Sequence, residues 1–169
     1  MGQTIISAGL VIIVTIAVIN ANRLVINAEA SKLEGLARMQ AADIAMELIT
    51  EIRLKKFDEN EVTTEYQSTS AFTASGSLGR ESEWAGYPDA YPYDSADKFD
   101  DIDDYHGYRR SVTTSNISGY QVDCVVFYST PDNPDTNAGT RTYFKTLEVY
   151  VSHATYLPNA IRINFTTSY

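Results

Sequence analysis

The chain has few of the side chains that bind metals through sulfur or carry out nucleophilic catalysis. Its 169 residues include one cysteine, Cys124, and two histidines, His106 and His153. A single cysteine excludes a disulfide within the chain and a metal site built from several thiolates. Two histidines offer few groups for a zinc centre or for a base paired with a nucleophile. Cys124 lies in the strand-like run YQVDCVVFY, where we expect it to be a small buried apolar residue.

Positive charge is also scarce. The chain has 13 lysines and arginines against 22 aspartates and glutamates, for a net charge of -9. Nucleic acids and anionic lipid head groups bind to basic surfaces, and no run of lysine and arginine supplies one here. We therefore expect no nucleic-acid partner.

Motifs of the common enzyme classes are missing. The sequence has no GxSxG, P-loop or HExxH motif and no GxGxxG in a dinucleotide-binding context. Glu81 and Glu83, or the aspartates between positions 94 and 104, could in principle pair for glycoside hydrolysis. Nothing in their spacing selects a pair at the required separation. The sequence therefore predicts a protein that is not an enzyme and has no organic cofactor.

The N-terminal stretch GQTIISAGLVIIVTIAVINAN carries no charged side chain between Met1 and Arg23. About 20 apolar residues suffice for a helix to cross the hydrocarbon core of a bilayer. A helix is the expected form because it pairs all of its own backbone groups in lipid. A secretory signal peptide would begin with basic residues, which Met1 and Gly2 do not supply. We predict an apolar transmembrane helix over residues 1–28.

A second helical pattern covers residues 29–58. Apolar residues recur there at steps of three and four: Leu33, Leu36, Ala37, Ala41, Ile44, Ala45, Leu48 and Ile52. This period predicts an amphipathic helix. Because no proline separates it from the first stretch, we expect one helix of about 55 residues, ending between Lys55 and Asp58.

The rest of the chain predicts a connector followed by a sheet. Residues 59–108 read as a polar connector, with VTTEY and AFTAS as its only strand-like pieces, and an irregular acidic and aromatic loop. Residues 109–169 alternate with period two in the runs RRSVTTS, GYQVDCVVFYS, TYFKTLEVYVS and AIRINFTTS. Short connections favour an antiparallel order. The predicted fold is α+β, with an antiparallel sheet of about four strands packed on the second half of the long helix.

Strand alternation predicts which residues face the core. One face of each strand carries these residues: Tyr120, Val122, Cys124, Val126 and Tyr128; Tyr143, Leu147, Val149 and Val151; Ile161, Ile163 and Phe165.

The densest acidic stretch has six aspartates within eleven positions: Asp94, Asp97, Asp100, Asp101, Asp103 and Asp104. One interpretation is a solvated loop in which some aspartates cap turns. The other is a calcium site built from Asp100, Asp101, Asp103 and Asp104, because calcium prefers oxygen ligands. The spacing does not fit an EF-hand, since Tyr105 and His106 occupy positions that need an oxygen ligand and a glycine.

Seven aromatic residues lie in or beside the acidic stretch: Trp84, Tyr87, Tyr91, Tyr93, Phe99, Tyr105 and Tyr108. They suit packing of the loop and contact between subunits, or a surface on which sugars stack. Asn116 and Asn164 each begin a glycosylation sequon, which makes them candidate modification sites.

Two runs carry a resemblance to a known family. ARMQAADIAMELITEIRLKKFDEN resembles the end of the long helix in pseudopilin-like and minor-pilin-like proteins, and DKFDDIDDYHGY resembles an acidic turn that some of them have before the sheet. The layout of an uncharged helix, an amphipathic helix, a loop and a sheet is similar to that of type IV pilins along nearly the whole chain. The two motifs cover about a quarter of the chain.

The resemblance implies a structural subunit of a helical surface filament. Such subunits are held in the inner membrane and then stack as a homopolymer with their N-terminal helices in the filament core. The implied core residues are Ile5, Ile6, Ala8, Gly9, Leu10, Val11, Ile12, Ile13, Val14, Ile16, Ala17, Val18 and Ile19. Leader cleavage would fall between Gly2 and Gln3. The family's glutamate near the mature N-terminus falls on Ser7, so assembly would depend more on apolar packing.

Two alternatives remain open. One is a single-pass membrane anchor, or a pseudopilin of a secretion system, whose acidic domain binds a partner or calcium outside the cytoplasm. The other is a hydrolase tethered to the membrane.

Overall fold

The computed structural model describes residues 2–60, 67–80 and 98–169, and for residues 2–7 it describes the backbone alone. Helix α1 and four strands make up the regular structure: α1 Gly2–Ile52, β1 Arg109–Thr113, β2 Ser118–Ser129, β3 Phe144–His153 and β4 Leu157–Ser168. The chain divides into two units, Met1–Ala37 and Arg38–Tyr169. The second is called the head unit below. The predicted α+β fold is confirmed.

Helix α1 is continuous over 51 residues, as the absence of proline in this stretch predicts. It ends at Ile52, a few residues before the predicted end between Lys55 and Asp58. The last amides already bond at the shorter spacing of a 3-10 turn, since the Lys55 amide donates to the Ile52 carbonyl at 3.0 Å. Beyond this turn the backbone pairs with a distant segment. The Lys56 amide donates to the Asp100 carbonyl at 3.1 Å, and the Ile102 amide donates to the Lys56 carbonyl at 3.0 Å.

The sheet of the head unit has the order β1-β2-β3-β4, with every neighbouring pair antiparallel. It is the meander that short connections predict. Cys124 lies opposite Val149 across β2 and β3, and Val149 lies opposite Ile163 across β3 and β4. This register places the apolar positions of the central strands on one face.

That face packs on the head-unit part of α1. The helix contributes a buried stripe that matches the predicted period: Ala41, Ile44, Ala45, Leu48, Ile49 and Ile52. The two central strands contribute the buried alternating residues Tyr120, Val122, Cys124, Val126, Tyr128, Leu147, Val149 and Val151. Polar contacts help to hold the helix in register on the sheet. The Gln40 Oε1 atom accepts hydrogen bonds from the Thr114 and Tyr120 hydroxyls, both at 3.0 Å.

Three local predictions need correction. The run AFTAS is not a strand, since Thr69–Ala71 forms a 3-10 turn and Phe72 is buried with its ring centroid 5.2 Å from that of Phe57. Tyr143 lies just before β3 and packs edge-on against the Phe72 ring at 5.9 Å. β4 begins at Leu157, so part of the predicted turn HATYLPN is strand. The run VTTEY and the six aromatic or acidic positions Glu81, Glu83, Trp84, Tyr87, Tyr91 and Tyr93 lie outside the described residues.

Candidate functional site

The first candidate site is the apolar segment of α1, defined here as residues 8–22, which contains no charged side chain. Its large side chains are about half to two thirds exposed in the single chain, for example 67% for Ile13 and 53% for Val14. The same holds for the other large predicted core residues: Leu10, Val11, Ile12, Ile16, Val18 and Ile19. The helix is long and apolar enough to span a membrane.

The small residues and Thr15 of the apolar segment do not interrupt this surface. Ala8 and Ala17 are exposed and Gly9 is half-buried, so the helix has narrow points where another helix could approach closely. The Thr15 hydroxyl donates to the Val11 carbonyl at 2.8 Å and is satisfied within the helix. The segment therefore presents apolar surface without an unpaired polar group at Thr15.

Several N-terminal predictions lie outside the described side chains. These concern Gly2 and Gln3 at the candidate cleavage point, Ile5 and Ile6 in the candidate core, and Ser7. They stay predictions.

The second candidate site is the acidic stretch, and the interpretation of this stretch as a solvated loop is wrong. Asp101, Asp103 and Asp104 are 0%, 3% and 0% exposed, so these carboxyl groups are not a solvated loop. Asp100 alone of the described aspartates in this stretch stays at the surface, where it pairs with Lys56 at 2.8 Å. Asp94 and Asp97 lie outside the described residues.

Two of the buried aspartates, Asp103 and Asp104, begin a 3-10 turn, Asp103–Tyr105, and Asp101 lies just before it. Turn capping accounts for some of their oxygens, as predicted: Asp101 Oδ1 accepts from the Asp104 amide at 3.2 Å, and Asp104 Oδ2 accepts from the Asp100 amide at 3.1 Å. Three buried oxygens have no hydrogen-bond partner among the described atoms: Asp101 Oδ2, Asp103 Oδ2 and Asp104 Oδ1. Such groups are expensive to bury in charged form.

The predicted calcium ligands do not form a metal site in the described part of the chain. The part of the chain that the structure describes contains no group of three or more histidine, cysteine, aspartate or glutamate side chains able to hold a metal ion. Among the four predicted ligands, Asp100 faces Lys56, and Asp103 contacts the ammonium of Lys145 instead.

Lys145 is the centre of a buried ionic cluster that the sequence analysis missed. Its Nζ donates to Asp58 Oδ2 at 2.8 Å, to the Phe57 carbonyl at 2.6 Å and to Asp103 Oδ1. It also lies over the Phe57 and Tyr128 rings, 4.5 Å and 5.2 Å from their centroids. The side chains of Lys145, Asp58 and Asp103 are 0%, 0% and 4% exposed. These three residues are called the Lys145 cluster below.

The two carboxylates of the cluster have different surroundings. Both Asp58 oxygens accept from the Thr73 amide at 3.0 Å, and they also accept from the Asn60 amide at 3.2 Å and the Tyr128 hydroxyl at 3.0 Å. Burial acts to raise the pKa of Asp58, but the hydrogen bond and charge of Lys145, together with the two amides, bring it below its ordinary value. Asp58 is thereby held as an anion.

The pKa values of Asp103 and its neighbours are shifted upward, opposite to that of Asp58. Burial raises the pKa of Asp103, and Lys145 offsets this only in part. Burial, followed by the charges of Asp103 and Asp104, raises the pKa of Asp101 to about 8. Burial also raises the pKa of Asp104 to about 6. At neutral pH Asp101 therefore holds a proton that a solvated aspartate would not.

These pKa directions predict that the head unit loses stability as the pH rises. Between the pKa that an aspartate has in the unfolded chain and its higher pKa in the folded chain, only the folded state binds the proton. In that pH range each such aspartate lowers the unfolding free energy by about 1.4 kcal/mol for each unit by which the pH rises. We expect the melting temperature to fall between pH 5 and pH 8, mainly through Asp101. Thermal unfolding of the full chain in detergent at several pH values measures this. Asp101→Asn should flatten the profile, whereas Asp100→Asn at the surface should not, and a melting temperature that rises with pH would contradict the assignment.

Lys145 could have been found from the alternation of β3. The inward positions run Leu147, Val149 and Val151, and stepping back by two reaches Lys145. A charged residue at an inward position requires a buried partner. The partners, Asp58 and Asp103, are 87 and 42 residues away in the sequence, so the pattern alone does not name them.

The remaining predicted residues lie in the head unit. Cys124 is buried, as predicted, and burial raises the pKa of its thiol well above the ordinary value. Asn116 is exposed in the turn before β2. Asn164 is exposed on β4, with its amide nitrogen donating to Asp135 Oδ1 at 2.5 Å. Glycosylation at Asn116 and Asn164 stays a prediction.

Comparison with protein-family models, with curated proteins and with solved structures finds no match for this chain.

Proposed function

We propose that the protein is the structural subunit of a helical filament of type IV pilus type, held in a membrane before assembly. The observation that carries the proposal is the exposed apolar segment of a helix long enough to span a bilayer. Fully burying one valine, leucine or isoleucine side chain contributes about 1.5–3 kcal/mol. A surface with many such residues is stable only in lipid or against other apolar helices.

A lipid bilayer and a bundle of apolar helices both suit the same helix. Helices that leave lipid for one another gain from close packing, and Ala8, Gly9 and Ala17 supply small contact points. The uncharged run from residue 8 to residue 22 also lets neighbouring copies pack without burying a charge. The segment thus serves as a membrane anchor first and as a filament core after assembly.

The head unit suits the outside of such a filament. It has its own apolar core between α1 and the sheet and does not need the apolar segment to bury it. The chain's net charge of -9 keeps a surface-exposed array soluble, and it favours contacts with cations or proteins over nucleic acid.

Shearing the surface of cells that express the full chain tests the proposal. We expect thin helical fibres that contain this chain, with reconstructed density for the N-terminal helix along the fibre axis. Recovery of the chain only as a monomer from detergent-solubilised membranes would overturn the filament and support the alternative of a single-pass anchor with an acidic partner-binding domain.

A further inference from the structure

We propose that Lys145 and Asp103 join through an intramolecular isopeptide bond between Nζ and Cγ, with Asp58 as the proton acceptor. The bond is a covalent modification within the head unit, and it does not depend on filament assembly. Because the chain has one cysteine, no disulfide can supply a comparable link within it.

The first support is the position of the amine. Nζ of Lys145 contacts Oδ1 of Asp103. Cγ is bonded to that oxygen at about 1.2 Å, so the amine lies beside the carbon that it would attack. Reacting atoms held in contact gain the rate advantage of an intramolecular reaction.

The second support is the difference between the two aspartates. Asp58 is stabilised as a carboxylate by the Thr73 and Asn60 amides and the Tyr128 hydroxyl. Asp103 has one oxygen, Oδ2, without a hydrogen-bond partner among the described atoms. A protonated carboxyl group is the better electrophile and a carboxylate is the better base. The environments therefore assign Asp103 as the electrophile and Asp58 as the base, in agreement with the raised pKa of Asp103 and the lowered pKa of Asp58.

The third support is the exclusion of water. The side chains of the Lys145 cluster are at most 4% exposed, and the Phe57 and Tyr128 rings cover the amine. Condensation releases water, so a dry site favours the amide and protects it from hydrolysis. It also replaces a buried ammonium and carboxylate by neutral groups, which removes the cost of keeping them charged away from solvent.

The reaction balances without any other reagent. Lys145 begins as an ammonium, Asp58 as a carboxylate and Asp103 as a neutral acid. Asp58 takes one proton from the ammonium, and the exposed nitrogen lone pair attacks Cγ of Asp103. The hydroxyl oxygen of Asp103 then leaves as water with a second proton from the nitrogen. The products are the Nζ–Cγ amide, one water molecule and a neutral Asp58.

Mass spectrometry of the purified, denatured full chain tests the proposal. Trypsin does not cleave after an acylated lysine, so the bond would leave residues 142–162 in one piece, joined to residues 99–109. We expect this branched peptide, with a mass lower than the sum of its two parts by one water molecule. Separate peptides with a free Lys145 amine would overturn the proposal. Linkage to residues 57–80, which contain Asp58, would overturn the assignment of Asp103.

Three variants supply the controls. Lys145→Arg keeps the positive charge but lacks the amine, and Asp103→Ala removes the electrophile, so both should show the full mass of their sequences. Asp58→Asn keeps both bond-forming groups but removes the base, and we expect at least tenfold slower condensation after refolding. Circular dichroism establishes that each variant is folded. If folded Lys145→Arg still has a mass one water molecule below that of its sequence, the bond is not at this position.

Discussion

Lys145→Met is expected to lower the free energy of unfolding of the head unit by about 3–5 kcal/mol, because it leaves the Asp58 carboxylate without its buried cation and Asp103 without its hydrogen-bond donor. Methionine fills a similar volume, so the loss comes from electrostatics more than from a cavity. The Phe57 carbonyl also loses its donor. Where the isopeptide bond has formed, the variant loses the covalent link in place of the ion pair.

Urea unfolding of the full chain in detergent, followed by tyrosine fluorescence, measures the loss. Lys56→Met is the matched control, since Lys56 also pairs with an aspartate, Asp100, but both side chains are about half exposed. Exposed pairs of this kind contribute little. Equal unfolding midpoints for the two variants would refute a stabilising role for the Lys145 cluster.

A double variant separates the ionic contribution from a packing effect. Lys145→Met combined with Asp58→Asn removes the cation together with the carboxylate that it compensates. We expect part of the lost stability to return, because fewer uncompensated charges remain buried. A double variant that is less stable than Lys145→Met alone would mean that packing around the side chain, and not charge, sets the cost.

The helix and the sheet could be predicted from the sequence because their signals are local. The apolar steps from Ala41 to Ile52 identify the buried face of α1, and the alternation from Tyr120 to Tyr128 identifies the buried face of β2. Each signal depends on neighbours within a few residues. The exact helix end depends on a distant segment, since the backbone of Lys56 pairs with that of residues 100–102.

The buried acidic turn and the Lys145 cluster could not be predicted for the same reason. A dense run of aspartates normally stays in water, so Asp101 and Asp104 read as solvated. Their burial results from a fold that brings residues around 58, 103 and 145 together. The available signals were the inward position of Lys145 on β3 and the aromatic residues on either side of the aspartates. Neither identifies which carboxylate the lysine meets.

The apolar segment presents the opposite case, since its sequence was informative but the described residues of the single chain leave it exposed. Its side chains are exposed in the described structure, as expected for a helix that needs lipid or other copies. The proposed function therefore depends on the environment of residues 8–22 more than on any site in the head unit. A substitution that changes only this environment should separate assembly from folding.

Val14→Asp is expected to abolish fibre formation while leaving the head unit folded. Val14 lies near the middle of the uncharged run, and a charged residue at the centre of a membrane span costs about 2.5–3.5 kcal/mol on insertion scales. An unpaired charge in a filament core costs several kcal/mol in each subunit. Since about 1.4 kcal/mol corresponds to a tenfold change, we expect a loss of sheared fibres of more than a hundredfold.

Val14→Leu is the matched control, because it keeps the position apolar and should assemble normally. Alkaline extraction of membranes shows whether the aspartate variant still inserts, and thermal unfolding shows whether its head unit is intact. A variant that inserts and folds but forms no fibres places the apolar segment in the filament core. Native fibres from Val14→Asp would contradict the proposed assembly, because no apolar helix packing could absorb an unpaired charge in every subunit at no cost.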